Sequence, residues 1–337
     1  MDTPLHGQEE KPDRHIDGPI IVYQMGKVGS RSVFETLEKL NLGIPVYHCH
    51  VLHDLDKIAE QLKKQFDNPF DSLAVVRQGK DLRKLIDEAP AKPWHVVSLV
   101  RDPIAQTISR FFQSIEEVIP NAGRRFKDGA LNVEDLFSAF EKKWILNDPA
   151  LIWFDNQFKP VFDIDVYERP FPCAKGYDIF RKGRFSLLLF RLEDLDGCAP
   201  QAFEEFFGLA DFKLMKANEA ANKWYQGLYK EFISKIDLSK DYLDKVYGSK
   251  FSRHFYTKLE INAFRAKWTR KPAVGASSAG VNKAADLKSG GLERKDSEIA
   301  GLRKMIDAKE REIAALRNSL SWKVTAPLRA VGGIFMK

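Results

Sequence analysis

Short runs of apolar residues alternate along this chain with stretches in which apolar residues recur every three or four positions. Four apolar runs predict buried strands, at residues 19–24, 45–52, 95–100 and 185–190. Helix-like periodicity fills the intervals, most clearly in residues 54–64, in residues 73–88 and from residue 218 onward. A final helix is predicted to begin behind Ser239. This alternation predicts an α/β fold with a mostly parallel sheet flanked by helices.

The composition changes near residue 271. Residues 271–291 are rich in Ala, Ser, Gly and Lys, which is typical of a flexible linker. Beyond them apolar residues recur at intervals of seven, which predicts a coiled-coil helix. We therefore divide the chain into a flexible N-terminus (1–17), an α/β domain (18–270), a linker (271–291), a coiled coil (292–320) and an amphipathic tail (321–337).

The charges beside the heptads predict how the coiled coil pairs. Glu298 would face Arg303 of a second copy, and Glu312 would face Arg317, which is the pattern of a parallel homodimer. The alternative is a helix that lies on its own domain. The tail around Trp322 resembles one that recurs in bacterial polysaccharide glycosyltransferases. It is suited to peripheral contact with a membrane or to docking on a biosynthetic partner, and a disordered end is the alternative.

The net charge of +6 suits anionic ligands. It is too diffuse to indicate nucleic acid, because no compact basic stripe or base-stacking motif is present. Three scattered cysteines indicate a reducing compartment rather than a disulfide framework. The sequence shows neither the apolar segment of a signal peptide nor a membrane-spanning stretch. We therefore expect a cytoplasmic protein, with the tail at the inner face of the membrane.

A glycine-rich segment follows the first predicted strand and leads into a predicted helix. Gly26 and Gly29 let the backbone curl, Ser30 supplies a donor at the start of the helix, and Lys27 can reach over a bound anion. An ATP-binding loop of the Walker type places its Lys after the last Gly. Here Lys27 precedes Gly29, so the order does not fit a Mg-nucleotide hydrolase. The alternative is a strand-to-helix turn that is merely rich in glycine.

A second polar segment follows the third predicted strand. Pro103 fits the first turn of a helix with Asp102 near its cap, and Arg101 lies at the end of the strand. Ser109 follows Arg101 by two helical turns. The two segments together predict a protein that grips a nucleotide-like molecule at two anionic groups.

In these residues the chain resembles the sulfotransferases that use 3′-phosphoadenosine-5′-phosphosulfate (PAPS). Their 5′-phosphosulfate loop is similar to residues 27–32, and their 3′-phosphate motif is similar to Arg101-Asp102-Pro103 with Ser109. Within that group the chain most resembles bacterial capsular polysaccharide synthesis proteins. Their Asn-Lys-Trp-Tyr-Ser signature is similar to residues 222–226, where Gln226 replaces the Ser. The resemblance runs from about residue 18 to about residue 268.

The resemblance implies PAPS as the cofactor, no metal, and roles for particular residues. Lys27 would bind the cofactor and stabilise the charge that develops on the bridging oxygen. The 3′-phosphate would be held by Arg101 and Ser109. Arg191, which follows the fourth strand, is a further candidate for a position near the adenine. The 5′-phosphate would be held by Gly29, Ser30, Arg31 and Ser32.

A general base should take the proton of the acceptor hydroxyl, and His50 is one candidate. Strand alternation places His48 and His50 on one face, with His50 nearer the carboxyl end of the strand. The alternative is a structural histidine. A zinc site built from residues 48–50 with His53 has poor geometry, because adjacent strand residues point in opposite directions.

Asp155 is the rival base. It lies between the third and fourth strands, where an acceptor site would be built. Its neighbours Trp153 and Phe154 suit stacking on a sugar, although an ordinary amphipathic helix explains them equally well.

These observations predict a sulfotransferase that moves a sulfuryl group from PAPS to a hydroxyl of a bacterial capsular or surface polysaccharide, or of its precursor. Two other classes stay open. One is a non-catalytic capsule-assembly protein with the same fold. The other is a nucleotide-dependent, kinase-like enzyme, which the order of Lys27 and Gly29 disfavours.

Overall fold

The computed structural model describes residues 16–65, 69–143, 148–215 and 223–269. The predicted linker, coiled coil and tail lie outside the described residues, and so do Asn222 of the signature and residues 1–15.

Five strands form one sheet in the order β2-β1-β3-β5-β4. Neighbouring strands are parallel, except that β4 runs antiparallel to β5. This confirms the predicted mostly parallel α/β fold. The strands are β1 (Ile20–Tyr23), β2 (Val46–Cys49), β3 (Trp94–Val100), β4 (Tyr177–Lys182) and β5 (Phe185–Arg191).

The helices cover the sheet and build the region between β3 and β4. They are α1 (Ser30–Lys39), α2 (Leu55–Gln65), α3 (Phe70–Glu88), α4 (Pro103–Gln113), α5 (Ile115–Val118), α6 (Ala122–Lys127), α7 (Val133–Lys143), α8 (Lys159–Phe162), α9 (Leu195–Phe207), α10 (Gln226–Lys235), α11 (Lys240–Tyr247), α12 (Lys250–Phe255) and α13 (Lys258–Trp268). Single turns of 3₁₀-helix occupy Pro149–Ile152 and Leu192–Asp194, and Phe154–Phe158 form a π-helical turn. No helix of the described ranges is long and apolar enough to cross a membrane.

The four predicted strands are present, and β4 is the one that the sequence analysis missed. β4 lies at the edge of the sheet, and its charged residues Asp178, Arg181 and Lys182 break the apolar run that marks a buried strand. A tight turn at Gly183, where φ is +56°, returns the chain into β5. An edge strand with one covered face carries only a weak apolar signal.

The second strand is shorter than predicted and ends at Cys49 rather than at residue 52. The backbone N–H groups of Leu52 and His53 donate to the side-chain oxygen Oε1 of Gln157, at 3.2 Å each. The Gln157 side chain, from a distant segment, therefore accepts the hydrogen bonds that the backbone of a neighbouring strand would otherwise accept.

The final helix begins behind Ser239 as predicted, but three helices replace the single one. The Ser239 side chain caps α11, the Ser249 side chain caps α12, and Thr257 forms a capping box with Glu260 at the start of α13. Each cap begins a new helix in a new direction. Residues 239–269 therefore form three short helices rather than one long one.

The polar loops leave the sheet at the carboxyl ends of its parallel strands, which we call the carboxyl edge of the sheet. β1 is completely buried, and β3 and β5 are nearly so, which explains their continuous apolar sequences. Because β1, β2 and β3 are parallel, the segments that leave their carboxyl ends emerge side by side. The two polar segments singled out in the sequence therefore meet at this edge.

Candidate functional site

The segment between β1 and α1, which we call the glycine loop (residues 24–30), has an unusual backbone. Positive φ angles occur at Gly26 (+84°), Lys27 (+59°) and Gly29 (+78°). A Cβ atom on Gly29 would lie 2.4 Å from Cδ1 of Leu192, so a larger residue would have to displace that side chain as well as adopt the positive φ that favours glycine. No side chain caps the start of α1. Backbone N–H groups at such a helix start are a common anion-binding feature.

A buried amide supports the glycine loop from below. The Gln24 side chain is fully buried, and its Oε1 accepts a hydrogen bond from the Gly26 N–H. Its Nε2 lies 3.2 Å from Nε2 of His48 and 2.8 Å from Nδ1 of His50. The Ser30 hydroxyl lies 3.0 Å from Nε2 of His48. We call these four side chains the Gln24 network.

Both histidines of the network stay neutral at neutral pH. Burial, together with the nearby His50 and Arg31, lowers the pKa of His48 to about 3. Burial also lowers the pKa of His50. The Gln24 carbonyl oxygen raises this pKa, and the positive charges of Arg110 and Lys27 lower it. Lys27 and Arg110 therefore direct positive charge toward the same imidazole.

The segment after β3, which we call the arginine turn (Arg101–Pro103), contacts the glycine loop directly. The Arg101 guanidinium donates through Nη1 to the Lys27 carbonyl oxygen, at 3.0 Å. One turn into α4, the Gln106 side chain donates to the carbonyl oxygen of Gly26 at 2.8 Å. The structure therefore brings Lys27, Gly29, Ser30, His50 and Arg101 together at one edge of the sheet.

Asp102 joins the arginine turn to the C-terminal helices. Its carboxylate accepts from the Tyr247 hydroxyl at 2.8 Å, from the Trp268 indole N–H at 3.0 Å and from the backbone N–H of Ile104 at 3.2 Å. Its own backbone N–H donates to Glu193 at 2.7 Å. Burial raises the pKa of Asp102, and the Tyr247 and Trp268 hydrogen bonds oppose that rise. The helix cap and the first-turn proline were predicted, but these distant partners were not.

The α4 face that carries Gln106 also carries Ser109 and Arg110, since they follow at three and four positions. Both are half-buried. Burial lowers the pKa of Arg110, and the charge of Asp148 opposes that effect. Asp148 in turn accepts from the Tyr242 hydroxyl at 2.8 Å. Sequence reasoning missed Arg110 and Asp148, because neither stands in a recognisable motif.

Three other predicted residues lie farther from this centre. The exposed Arg31 side chain pairs with Glu35 at 2.8 Å, and Ser32 is half-buried in the first turn of α1. The Arg191 side chain is 4 % exposed, and its guanidinium forms ion pairs with Asp194 and Glu260. The structure thus engages Arg191 in a buried charge cluster, and its role near an adenine stays a prediction.

Asp155 lies on the π-helical turn that packs against the end of β2. The Trp153 indole N–H donates to the His50 carbonyl oxygen at 3.2 Å, which fixes this segment beside the Gln24 network. The Asp155 carboxylate itself is 3.3 Å from the Lys250 ammonium group and is 40 % exposed. Asp155 therefore sits beside the site, with its carboxylate paired to a lysine.

The histidine-rich end of β2 does not form a metal centre. His48 and His50 face Gln24, whereas the buried Cys49 thiol donates to the Val51 carbonyl oxygen at 3.2 Å. Across the described ranges, no three His, Cys, Asp or Glu side chains are arranged to hold a metal ion.

Comparison with known proteins adds information on the second half of the α/β domain. Residues 126–257 match the family model "Putative capsular polysaccharide synthesis protein". This match bears out the predicted link to capsular polysaccharide synthesis, whereas the likeness to sulfotransferases stays a prediction. The matched region contains Asp155 and Arg191, and it leaves out the glycine loop and the arginine turn. No curated protein and no solved structure matches the chain.

The signature residues of the matched region pack near the end of α4. The Trp224 ring lies 5.8 Å from that of Phe126, and the Tyr225 ring lies 5.5 Å from that of Phe112. A Cβ on Gly123 would lie 3.4 Å from the Trp224 indole. The signature thus connects the helices after β3 with the chain that leads into α10.

Proposed function

We propose that the protein is a sulfotransferase that moves a sulfuryl group from PAPS to a hydroxyl of a capsular or surface polysaccharide, or of its precursor. The hydrogen bond between Arg101 and the Lys27 carbonyl carries this proposal. It joins two anion-binding segments, from different strands, at one edge of a parallel sheet. The capsular polysaccharide description of residues 126–257 supports the choice of acceptor class.

The chain's residues fit a ligand with two separate anionic groups. The uncapped start of α1 and the Ser30 hydroxyl would hold the 5′-phosphate, with Gly29 providing close approach and Arg31 and Ser32 lying on the same helical turn. Arg101 and Ser109 would hold the 3′-phosphate. Neutral histidines below the loop add no further positive charge to that of Lys27, Arg101 and Arg110, which limits the repulsion among cations at the site.

The proposed reaction places its charge beside Lys27. The acceptor oxygen forms a bond to sulfur, the bond from sulfur to the 5′-phosphate oxygen breaks, and the hydroxyl proton passes to a base. Negative charge grows on the departing oxygen, and a positioned ammonium group stabilises it. Asp155 would serve as the base, and Lys250 would hold its carboxylate in place until the acceptor binds.

Ligand binding tests this function. We expect 3′-phosphoadenosine-5′-phosphate, the by-product of the reaction, to raise the melting temperature of the full chain without added metal, and ATP and ADP to raise it less. The preference should vanish in Arg101→Ala, because the guanidinium would hold the 3′-phosphate. Arg101→Lys keeps the charge but loses the fork, so we expect it to bind with intermediate affinity.

A matched control and a contradictory result complete the test. Arg124→Ala removes an exposed arginine from α6 and should leave the preference unchanged. Absence of binding, or a Mg²⁺-dependent preference for ATP, would exclude the sulfotransferase and leave the assembly protein or the kinase-like enzyme.

A further inference from the structure

The orientation of the Gln24 amide is determined by its surroundings. Its Oε1 accepts from the backbone N–H of Gly26, and a backbone N–H can only donate. Turning the amide over would set an NH₂ group against that N–H, with two donors facing each other. The amide nitrogen must therefore face the two imidazoles, and each of its two hydrogens has one ring nitrogen to reach.

This orientation selects one tautomer of His50. A ring nitrogen that accepts a hydrogen bond must be unprotonated. Nδ1 of His50 lies 2.8 Å from the donating amide nitrogen of Gln24, and 3.1 Å from the Gln24 carbonyl oxygen. The carbonyl oxygen would favour a proton on Nδ1, whereas the amide N–H needs a lone pair there. The amide contact is the shorter of the two, so it sets the lone pair on Nδ1, and the carbonyl contact is then not a hydrogen bond. The proton of the neutral ring then stands on Nε2, the opposite nitrogen.

Nε2 of His50 is open toward the site. Within the described residues no protein group forms a hydrogen bond with it. It is also not a buried atom, since it is absent from the buried polar atoms that lack a partner there. Positive charge reaches the ring from Lys27 on the glycine loop and from Arg110 on α4, and His48 lies beside it with ring centroids 4.9 Å apart. A donor N–H on which two positive charges act is suited to meet an anion.

We infer that His50 is a neutral hydrogen-bond donor to a bound anionic group, with its tautomer set by Gln24, and that it is not the general base. This inference rests on the proposed function for the identity of the anion, which would be the phosphosulfate. It differs from the sequence-based interpretation in which His50 is one candidate for the base. A base would need the lone pair on the outward nitrogen, and the Gln24 network places a proton there instead.

The tautomer can be measured without any ligand. Long-range ¹H–¹⁵N correlation spectra of the ¹⁵N-histidine-labelled full chain distinguish a protonated from an unprotonated ring nitrogen. The chain has seven histidines, and loss of signals in His50→Gln assigns the one of interest. We expect Nε2 of His50 to be protonated at neutral pH. Protonation on Nδ1 would overturn the inference, whether or not the protein is a sulfotransferase.

A pair of substitutions tests the donor role. The amide nitrogen of a glutamine lies where Nε2 of a histidine lies, so His50→Gln keeps the donor and removes any base. We expect it to bind 3′-phosphoadenosine-5′-phosphate and inorganic sulfate within about twofold of the wild type. His50→Leu removes the donor and should bind both about tenfold more weakly, the size of one hydrogen bond to a charged group.

Turnover separates the two roles further. If His50 donates, His50→Gln keeps more turnover than His50→Leu does, and the pH profile of kcat has the same shape in both. If His50 is the base, His50→Gln loses as much turnover as His50→Leu, and this outcome would overturn the inference. If neither ligand binds the wild type but Nε2 is protonated, the tautomer stands and the proposed function fails. The two failures are therefore distinguishable.

Discussion

The glycine loop and the arginine turn lie side by side, yet they are supported in opposite ways. The glycine loop rests on Gln24, Ser30, His48 and His50, which lie within 26 positions of one another in the sequence. The arginine turn is held by residues 91, 145 and 166 positions away, on the segment after β5 and on the C-terminal helices. The side chains beneath the loop are close to it in sequence, with Arg101 and Gln106 as its long-range donors, whereas Asp102 of the turn depends on the C-terminal helices.

This difference suggests a division of labour. The glycine loop concentrates groups that we propose bind the cofactor, with a polar network beneath it. In the arginine turn, the Arg101 side chain contacts the glycine loop while the Asp102 carboxylate faces the interior, where Tyr247 and Trp268 bind it. We therefore expect substitutions in the loop to change binding and turnover, and substitutions of Asp102 to change the free energy of unfolding.

The largest expected effect is on stability, at Asp102. Asp102→Ala leaves the Tyr247 hydroxyl and the Trp268 indole N–H buried without an acceptor, and each such group costs about 1–3 kcal/mol. We expect the free energy of unfolding to fall by about 3 kcal/mol, measured by urea denaturation. Asp81→Ala on the exposed face of α3 is the control. A loss below about 1 kcal/mol would show that the C-terminal helices do not hold the turn.

The next effect is on catalysis, at Lys27. Lys27→Ala should lower the rate of sulfuryl transfer to the acceptor about 100-fold, because one positioned group that stabilises developing charge contributes on that scale. Its melting temperature should stay near that of the wild type. Lys39→Ala, at the exposed end of α1, the helix that follows the loop, serves as the comparison. Unchanged turnover in Lys27→Ala would contradict the catalytic role of the loop.

The smallest expected effect is on the pH dependence of the free energy of unfolding, to which the two segments contribute with opposite signs. His48 has a pKa lowered to about 3, so the unfolded chain binds a proton near pH 6.5 while the folded chain does not. Because only the unfolded chain binds this proton, the free energy of unfolding falls as the pH drops from about 6.5 toward 3. Burial raises the pKa of Asp102 and Glu193, which gives a contribution of the opposite sign.

The His48→Phe variant removes the part of this pH dependence that comes from the Gln24 network. Phenylalanine preserves the stacking on Phe34, whose ring lies 5.1 Å from that of His48. We expect the fall in unfolding free energy between pH 6.5 and 4 to shrink by about 1 kcal/mol, after allowance for the partial exposure of the ring. Urea denaturation at several pH values measures it. An unchanged pH dependence would mean that His48 becomes charged within the folded protein.

Local patterns predicted the parts of the molecule that are locally determined. The apolar runs predicted four of the five strands, and Asp102 with Pro103 predicted the start of α4, because caps and buried strands depend on adjacent residues. β4 and the early end of β2 were missed, because an edge position and a Gln157 side chain from another segment determine them.

The candidate site divides in the same way. Lys27, Gly29, Ser30 and Arg101 stand in motifs that a reader of the sequence can recognise. Gln24, Gln106 and Arg110 do not, since each matters through a partner on another element. An orienting amide leaves no periodic signal, and so the sequence offers His50 as one candidate base, whereas we infer from the geometry that its outward nitrogen carries a proton.

The buried indole of Trp268 also has a consequence for protein engineering. The family match ends at residue 257, which would be a natural place to cut the gene for a shorter fragment. Such a cut would delete α13, and with it the Trp268 indole N–H that binds Asp102 and the Trp268 carbonyl oxygen that accepts from Leu238 at 3.0 Å. A fragment for crystallisation or for a chimeric enzyme should therefore extend through residue 269.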